Sequence, residues 1–173
     1  MKRLPLLVLS IIMIISLSAC GNSWTTDTFE DLSYSVPSSW TKSTYNTQIR
    51  ARYFQHVSAD GSESGAQLMV IKPTYYENQI ELTSVSEIAE KIGGESLSTA
   101  GNPSLDYFEP CMINDMPAYE IWVTVAYSND FKTESRTILI EKPDGIYQVD
   151  LNWSSDSSGD FASDYQKIKN SLN

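Results

Sequence analysis

From residue 29 onward, apolar and polar residues alternate in segments of strand length. Apolar residues occupy every second position from Leu32 to Val36, so residues 29–36 are predicted to form a half-buried strand that ends at Pro37. Residues 68–71 are apolar throughout, which predicts a strand buried on both faces. The remaining segments with a strand pattern are residues 49–57, 105–113, 118–127, 131–141 and 146–153.

Two other segments repeat apolar residues at helical spacing. Ser84 precedes Glu87 by three residues, the spacing of a capping box, and Gly93 with Gly94 is predicted to end the helix that begins there. A second helix is predicted near the end of the chain, with Ser158 or Asp160 as its cap. The apolar faces of the two helices consist of Val85, Ile88, Ala89 and Ile92, and of Phe161, Tyr165, Ile168 and Leu172.

Short polar turns connect the later strands. Asn114 and Asp115 form one such turn, and Asp144 with Gly145 forms another, so consecutive strands are expected to be antiparallel neighbours. The predicted class is therefore α+β: a mainly antiparallel β-sheet with a mid-chain helix and a C-terminal helix packed on it. Residues 29–173 are expected to form this single domain.

The first 19 residues have the pattern of an export signal. Lys2 and Arg3 precede an apolar run over residues 4–17, which is shorter than the roughly 20 residues needed to span a bilayer and so argues against an uncleaved anchor. Leu17, Ala19 and Cys20 resemble the lipobox of bacterial lipoprotein precursors. That resemblance implies cleavage after residue 19, a diacylglycerol on Cys20 and a location on the outer face of the cell membrane. Residues 20–28, which are mostly polar, are predicted to be a tether.

Charge and cysteine content narrow the possible partners. The formal net charge of −10 becomes −12 when Lys2 and Arg3 leave with the signal peptide, and such a surface disfavours nucleic acid and anionic headgroups as partners. The chain has two cysteines. If Cys20 carries lipid, Cys111 is expected to be a buried, inert thiol; a disulfide between the two is the alternative.

Three motifs resemble those of the PsbP-like family: residues 34–40 around Pro37 and Trp40, residues 114–118 with Asn114 and Pro117, and residues 145–149 with Tyr147. The family includes an extrinsic subunit of the oxygen-evolving photosystem and a nuclear import factor that binds Ran. Short lipoproteins of Gram-positive bacteria are similar to it as well. The resemblance covers residues 29–172 and implies the fold. It also implies a binding or scaffolding role rather than catalysis.

The residues that carry chemistry form no recognisable catalytic or metal motif. His56, the single histidine, has no Cys or carboxylate at a ligand spacing, and a pairing with Cys111 or a serine would have to assemble across the sequence. Asp156, Asp160 and Asp164 recur every four residues, which does not match a calcium loop. We therefore expect no catalytic residue, cofactor or metal ligand.

The aromatic residues remain as candidates for ligand contact. The chain has ten tyrosines and four tryptophans, and Trp122 falls on the polar side of its strand. The candidates are Trp122, Trp153, Tyr75 and Tyr76.

The leading hypothesis for the function is a non-enzymatic binding or accessory module of the cell envelope. Such a module would be anchored to the membrane through Cys20 and would contact an unidentified envelope protein or ligand. The alternatives are an envelope-acting hydrolase or transferase and a passive structural or immunity-type lipoprotein. An enzyme should show converging carboxylates or a Ser–His pair in a cleft, and a binder an exposed aromatic patch.

Overall fold

One antiparallel sheet forms the centre of the computed structural model, which describes residues 23–43, 51–57, 63–128 and 130–173. The elements, in chain order, are β1 (Trp24–Phe29), β2 (Leu32–Pro37), β3 (Thr41–Ser43), β4 (Ala51–Val57), β5 (Glu63–Ile71), β6 (Tyr76–Glu77), β7 (Ile80–Glu81), α1 (Val85–Ser96), β8 (Asn102–Ile113), β9 (Met116–Ala126), β10 (Lys132–Lys142), β11 (Gly145–Ser154) and α2 (Phe161–Ser171).

The central sheet has seven strands in the order β3-β4-β5-β11-β10-β9-β8. Strands β8 to β11 follow one another as antiparallel neighbours, because each connection is a tight turn or a short loop. Asn114 and Asp115 both have positive φ angles, 46° and 64°, as the short turn between β8 and β9 requires. The predicted α+β architecture, with a mainly antiparallel sheet and two helices, is confirmed.

The two faces of this sheet are covered by different elements. Helix α2 and the β1–β2 hairpin cover one face, where Leu68, Val70 and Tyr147 are buried. Helix α1 covers the other face over β8, β9 and β10. Met69 and Ile71 are only half-buried. The prediction that residues 68–71 are buried on both faces is therefore wrong, because α1 lies over a different part of the sheet.

The N-terminal hairpin differs from the sequence prediction. Residues 24–28, expected to belong to the tether, form most of β1, which pairs with β2 from Trp24 opposite Pro37 to Phe29 opposite Leu32. Most residues of β1 are polar and lie outside the core. Asp27, for example, accepts hydrogen bonds from Tyr34 (2.9 Å) and Lys42 (2.7 Å). The predicted strand over residues 29–36 is thus the second half of a hairpin, and residues 24–28 belong to the fold.

Helix α1 begins as predicted and ends later. Ser84 and Glu87 form the capping box, each side chain accepting from the backbone N–H of the other. Gly93 and Gly94 do not end the helix, which continues to Ser96. Gly93 is buried against the Phe108 ring, where a Cβ atom would lie 3.0 Å from a ring carbon, so this glycine permits close packing of α1 on β8.

Helix α2 begins at the predicted cap. The Asp160 carboxylate accepts the backbone N–H of Ser163 at 3.1 Å. Phe161, Tyr165 and Ile168 are buried against the sheet, and Leu172 follows them into the same core. The predicted apolar face of this helix is confirmed.

Candidate functional site

Two of the predicted aromatic residues lie on either side of one arginine on the sheet face that α2 covers. Arg136 on β10 is the cross-strand partner of Trp122 on β9. Its guanidinium carbon lies 4.3 Å from the Trp122 ring centroid and 5.3 Å from that of Trp153 on β11. The Tyr165 ring of α2 lies at 5.3 Å as well. We call Arg136 with Trp122, Trp153 and Tyr165 the Arg136 cradle.

The guanidinium of Arg136 is in contact with aromatic rings and not with carboxylates of the described residues. Within the described ranges it forms no salt bridge and no side-chain hydrogen bond, although it is half-buried. No nitrogen atom of Arg136 is among the fully buried, unpartnered polar atoms of the described residues. A guanidinium has five N–H donors in a planar fork that fits a carboxylate or a phosphate. The cradle therefore fixes a cation whose donors remain available.

Glu120 fixes two of the rings that hold Arg136. The Glu120 carboxylate is buried and accepts hydrogen bonds from the Trp122 indole (2.9 Å), the Tyr165 hydroxyl (2.7 Å) and the Lys169 ammonium (2.5 Å). Burial alone would raise the pKa of Glu120, but these hydrogen bonds outweigh it and hold the pKa below its ordinary value. Glu120 is thus a charged acceptor neutralised by Lys169, which leaves Arg136 as the unpaired cation beside it.

Exposure differs between the two tryptophans. Trp122 is partly exposed and stacks with Tyr107, which is 37% exposed, at 4.9 Å between ring centroids. Trp153 is 8% exposed and packs against Phe161. Little of the Trp153 ring is therefore accessible to a ligand, and the ring packs on Arg136 from within the core. The accessible surface of the cradle consists of Trp122 and Arg136, and Tyr107 lies beside Trp122.

The predicted tyrosine pair lies on the opposite face of the sheet, away from the cradle. Tyr75 packs with the α1 cluster and donates a hydrogen bond to Gln148, and its burial raises its pKa to about 12. Tyr76 is 54% exposed in the β6–β7 hairpin. The structure thus brings Trp122 and Trp153 together but does not join them to Tyr75 and Tyr76.

Asp150 is a buried acid that the sequence analysis did not single out. Thr137 and Gln148 donate hydrogen bonds to its two carboxylate oxygens at 2.6 and 2.8 Å. Burial raises its pKa to about 6, against the lowering effect of both hydrogen bonds. Within the described residues no cation pairs with it. In the sequence, Asp150 alternates with Val149 and Leu151, a pattern that indicates a solvent-facing residue rather than a buried one.

The other residues with reactive side chains lie apart from the cradle. His56 packs against Trp40 and Phe161, with ring centroids 5.7 and 5.2 Å away. It lines a pocket of about 250 Å³ with Asp160, Asp164 and two serines, so this cleft holds the kinds of side chain expected of the enzyme alternative. Burial raises the pKa of Asp164. Asp160 serves as the α2 cap, as predicted.

Cys111 is a free, half-buried thiol on β8. The prediction that it is buried is therefore only partly correct. Burial raises its pKa.

Neither a metal site nor a membrane span occurs in the described parts of the chain. No three His, Cys, Asp or Glu side chains there are placed to hold a metal ion. No helix in those ranges is both long and apolar enough to cross a bilayer. Cys20, the predicted lipidation residue, lies outside the described residues.

Solved structures that resemble this fold include those of two bacterial proteins. The solution structure of cyanobacterial PsbP (CyanoP) from Synechocystis sp. PCC 6803 has a TM-score of 0.58 and 13% identity, covering 91% of this chain and 98% of that one. The crystal structure of LpqN, described as involved in cell envelope biogenesis of Mycobacterium tuberculosis, has a TM-score of 0.55 and 10% identity, covering 87% and 90%. No family model and no curated protein matches the sequence. At these identities the similarity concerns the fold, and the chain has a PsbP-like fold.

Proposed function

We propose that this chain is a lipoprotein, anchored through Cys20 to the outer face of the cell membrane, that acts as a non-enzymatic binding or accessory module of the envelope. The charged start, apolar run and lipobox-like residues before Cys20 support the anchor. The similarity of its fold to that of LpqN, a protein of cell envelope biogenesis, supports the envelope as the place where it acts.

The Arg136 cradle is the observation that carries the binding role. An arginine with available donors is stabilised between two tryptophans, while the neighbouring acid Glu120 is already neutralised by Lys169. A rigid, partly desolvated guanidinium loses little conformational entropy when an anion binds. Tyr107 and Trp122 add an accessible aromatic surface beside it. The arrangement suits a partner that presents a carboxylate or phosphate next to an apolar group.

The binding role is tested by capture of envelope partners with the full, lipidated chain. Arg136→Gln removes the cradle's cation, and Lys132→Gln removes a cation from the same strand that is paired with Glu134. We expect Arg136→Gln to reduce recovery of the partner at least about tenfold, as loss of a charged hydrogen bond of about 1.5–3 kcal/mol requires. Lys132→Gln should recover it like wild type. Equal recovery with both variants would contradict a role for the cradle.

The chemistry of the anion is tested separately. Acetate and inorganic phosphate are titrated while the indole N–H signals of Trp122 and Trp153 are followed by NMR. We expect saturable shifts in wild type with one of the two anions and none with Arg136→Gln. Shifts that are the same in both proteins would contradict an anion site. Mass spectrometry of the mature amino terminus tests the anchor, because an unmodified Cys20 would contradict it.

A further inference from the structure

Ser23, three residues after the proposed lipid anchor, is held by the fold. The Ser23 carbonyl accepts the Ser38 backbone N–H at 2.8 Å, and Trp24 pairs with Pro37. Ser23 is therefore fixed to the turn that follows β2. Only Gly21 and Asn22 separate it from Cys20. A tether between Cys20 and the hairpin therefore cannot include residues 24–28, which the sequence pattern assigned to it.

Covalent reach limits how far this edge can be from the bilayer. Three trans peptide steps place the Cα atoms of Cys20 and Ser23 at most about 11 Å apart. The acyl chains on Cys20 would insert in the hydrocarbon core, and the headgroup layer outside that core is roughly 5–7 Å thick. The Ser23–Ser38 edge then lies within a few ångströms of the headgroup surface, whatever path Gly21 and Asn22 take.

We propose that the edge formed by Ser23, Trp24, Ser38 and Lys167 lies against the headgroups of the bilayer that holds the Cys20 lipid. This inference rests on the proposed lipid anchor. The partly exposed Trp24 ring carries the exposed Lys167 ammonium at 5.2 Å from its centroid. Indole rings and ammonium groups are favoured at the membrane interface. The net negative charge of the chain opposes contact, but the covalent limit on distance holds regardless of charge.

The opposite end of the β1–β2 hairpin would then face away from the membrane. The six residues of β1 separate the two ends by about 17 Å. At the far end, Asp31 accepts a hydrogen bond from Lys142 at 2.8 Å, next to the β10–β11 turn. The edge at Ser38 is therefore expected to lie near the membrane, and the turn next to Glu141 far from it.

Spin labels at these two positions test the orientation. Ser38→Cys and Glu141→Cys, both at exposed residues, are introduced into the full, lipidated chain with Cys111→Ala, and the protein is placed in phosphatidylcholine vesicles. Because this lipid has no net charge, attraction of the protein to charged lipid cannot cause a difference between the two labels. Collision rates with a water-soluble nickel chelate and with oxygen report depth. We expect the Ser38 label to be severalfold less accessible to nickel than the Glu141 label. Equal accessibility would overturn the proposal.

Two controls separate this inference from the anchor on which it rests. Inserting about 12 Gly and Ser residues after Gly21 extends the flexible reach to roughly 20 Å. We expect the Ser38 label in this variant to become as accessible to nickel as the Glu141 label. If the Ser38 label stayed protected, the short link to Cys20 could not be the cause of the protection. Mass spectrometry establishes the lipid first. With the lipid present, equal labels contradict the orientation alone, whereas an unmodified Cys20 contradicts both proposals.

Discussion

Lys169 on α2 reaches across to Glu120 on β9, with its Nζ atom 2.5 Å from Glu120 Oε2. The Glu120 side chain is 4% exposed and that of Lys169 is 22% exposed. The same carboxylate accepts the Trp122 indole and the Tyr165 hydroxyl, so the ion pair also orients two rings of the Arg136 cradle. Docking of α2 and the geometry of the candidate site therefore depend on one contact.

Removing the cation of this pair should destabilise the protein. Lys169→Met leaves the Glu120 charge buried, and we expect the free energy of unfolding to fall by about 2–4 kcal/mol, somewhat below the usual range because Lys169 is partly exposed. Combining it with Glu120→Gln should recover part of that loss. Urea denaturation followed by tryptophan fluorescence measures both. The matched control is Lys132→Met, whose partner Glu134 is more exposed, with an expected loss below about 1 kcal/mol. Equal losses at the two lysines would refute the buried-pair account.

The two glycines of α1 should respond oppositely to alanine. Gly94 is exposed and a Cβ atom there meets nothing within 4 Å, so Gly94→Ala should raise the free energy of unfolding by about 0.5–1 kcal/mol. At Gly93 the Cβ atom would press on the Phe108 ring at 3.0 Å. Gly93→Ala should therefore forfeit that gain and lower the stability by about 1 kcal/mol or more. Thermal and urea unfolding of the two variants, side by side, measure the difference. Stabilisation by both substitutions would show that the Phe108 ring yields.

Gly93 also shows what the sequence pattern cannot reveal. Two consecutive glycines after an amphipathic segment predict a helix end, because glycine is common at C-caps. The reason for Gly93 is instead a contact with Phe108 on the next strand, which only the tertiary structure shows. The strands from β8 to β11 could be predicted, because tight turns and alternation are local properties. The N-terminal hairpin could not, since the polar residues of β1 are satisfied by cross-strand partners such as Tyr34.

The candidate site was visible in the sequence only in part. Trp122 stood out because it occupies a polar position of its strand, and it proved to be a wall of the cradle. Arg136 carried no signal of its own, since its importance comes from the register that places it opposite Trp122 and next to Trp153. Residue spacing within one strand does not determine which residues of another strand lie beside it.

The Cys111 thiol should be slow to react. Burial raises its pKa, so the thiolate fraction at pH 7.5 is smaller than that of an ordinary cysteine, whose pKa is about 8.5. We expect alkylation by iodoacetamide to be at least about tenfold slower than that of a Glu141→Cys thiol in a Cys111→Ala background. Mass spectrometry of timed samples gives both rates. Similar rates would show that the half-buried position does not protect the thiol.

Asp150 should make stability fall as pH rises through the mildly acidic range. Its pKa is raised to about 6 in the folded protein, from 3.8, because it is buried. Between these pH values the unfolded chain has lost the proton and the folded chain largely retains it, so the free energy of unfolding decreases by about 2 kcal/mol as pH increases from 4 to 6, out of a total of about 3 kcal/mol. Above about pH 7 the cost is constant. Asp150→Asn, which keeps the hydrogen bond from Thr137, should remove this decrease and be more stable than wild type at pH 7.

Asp144→Asn is the control, because the hydrogen bond with Lys72 lowers the pKa of Asp144, so its pH effect on stability has the opposite sign. Urea denaturation at half-unit pH intervals gives the difference between each variant and wild type. A wild-type minus Asp150→Asn difference that does not change between pH 4 and 6 would show that the acid titrates normally.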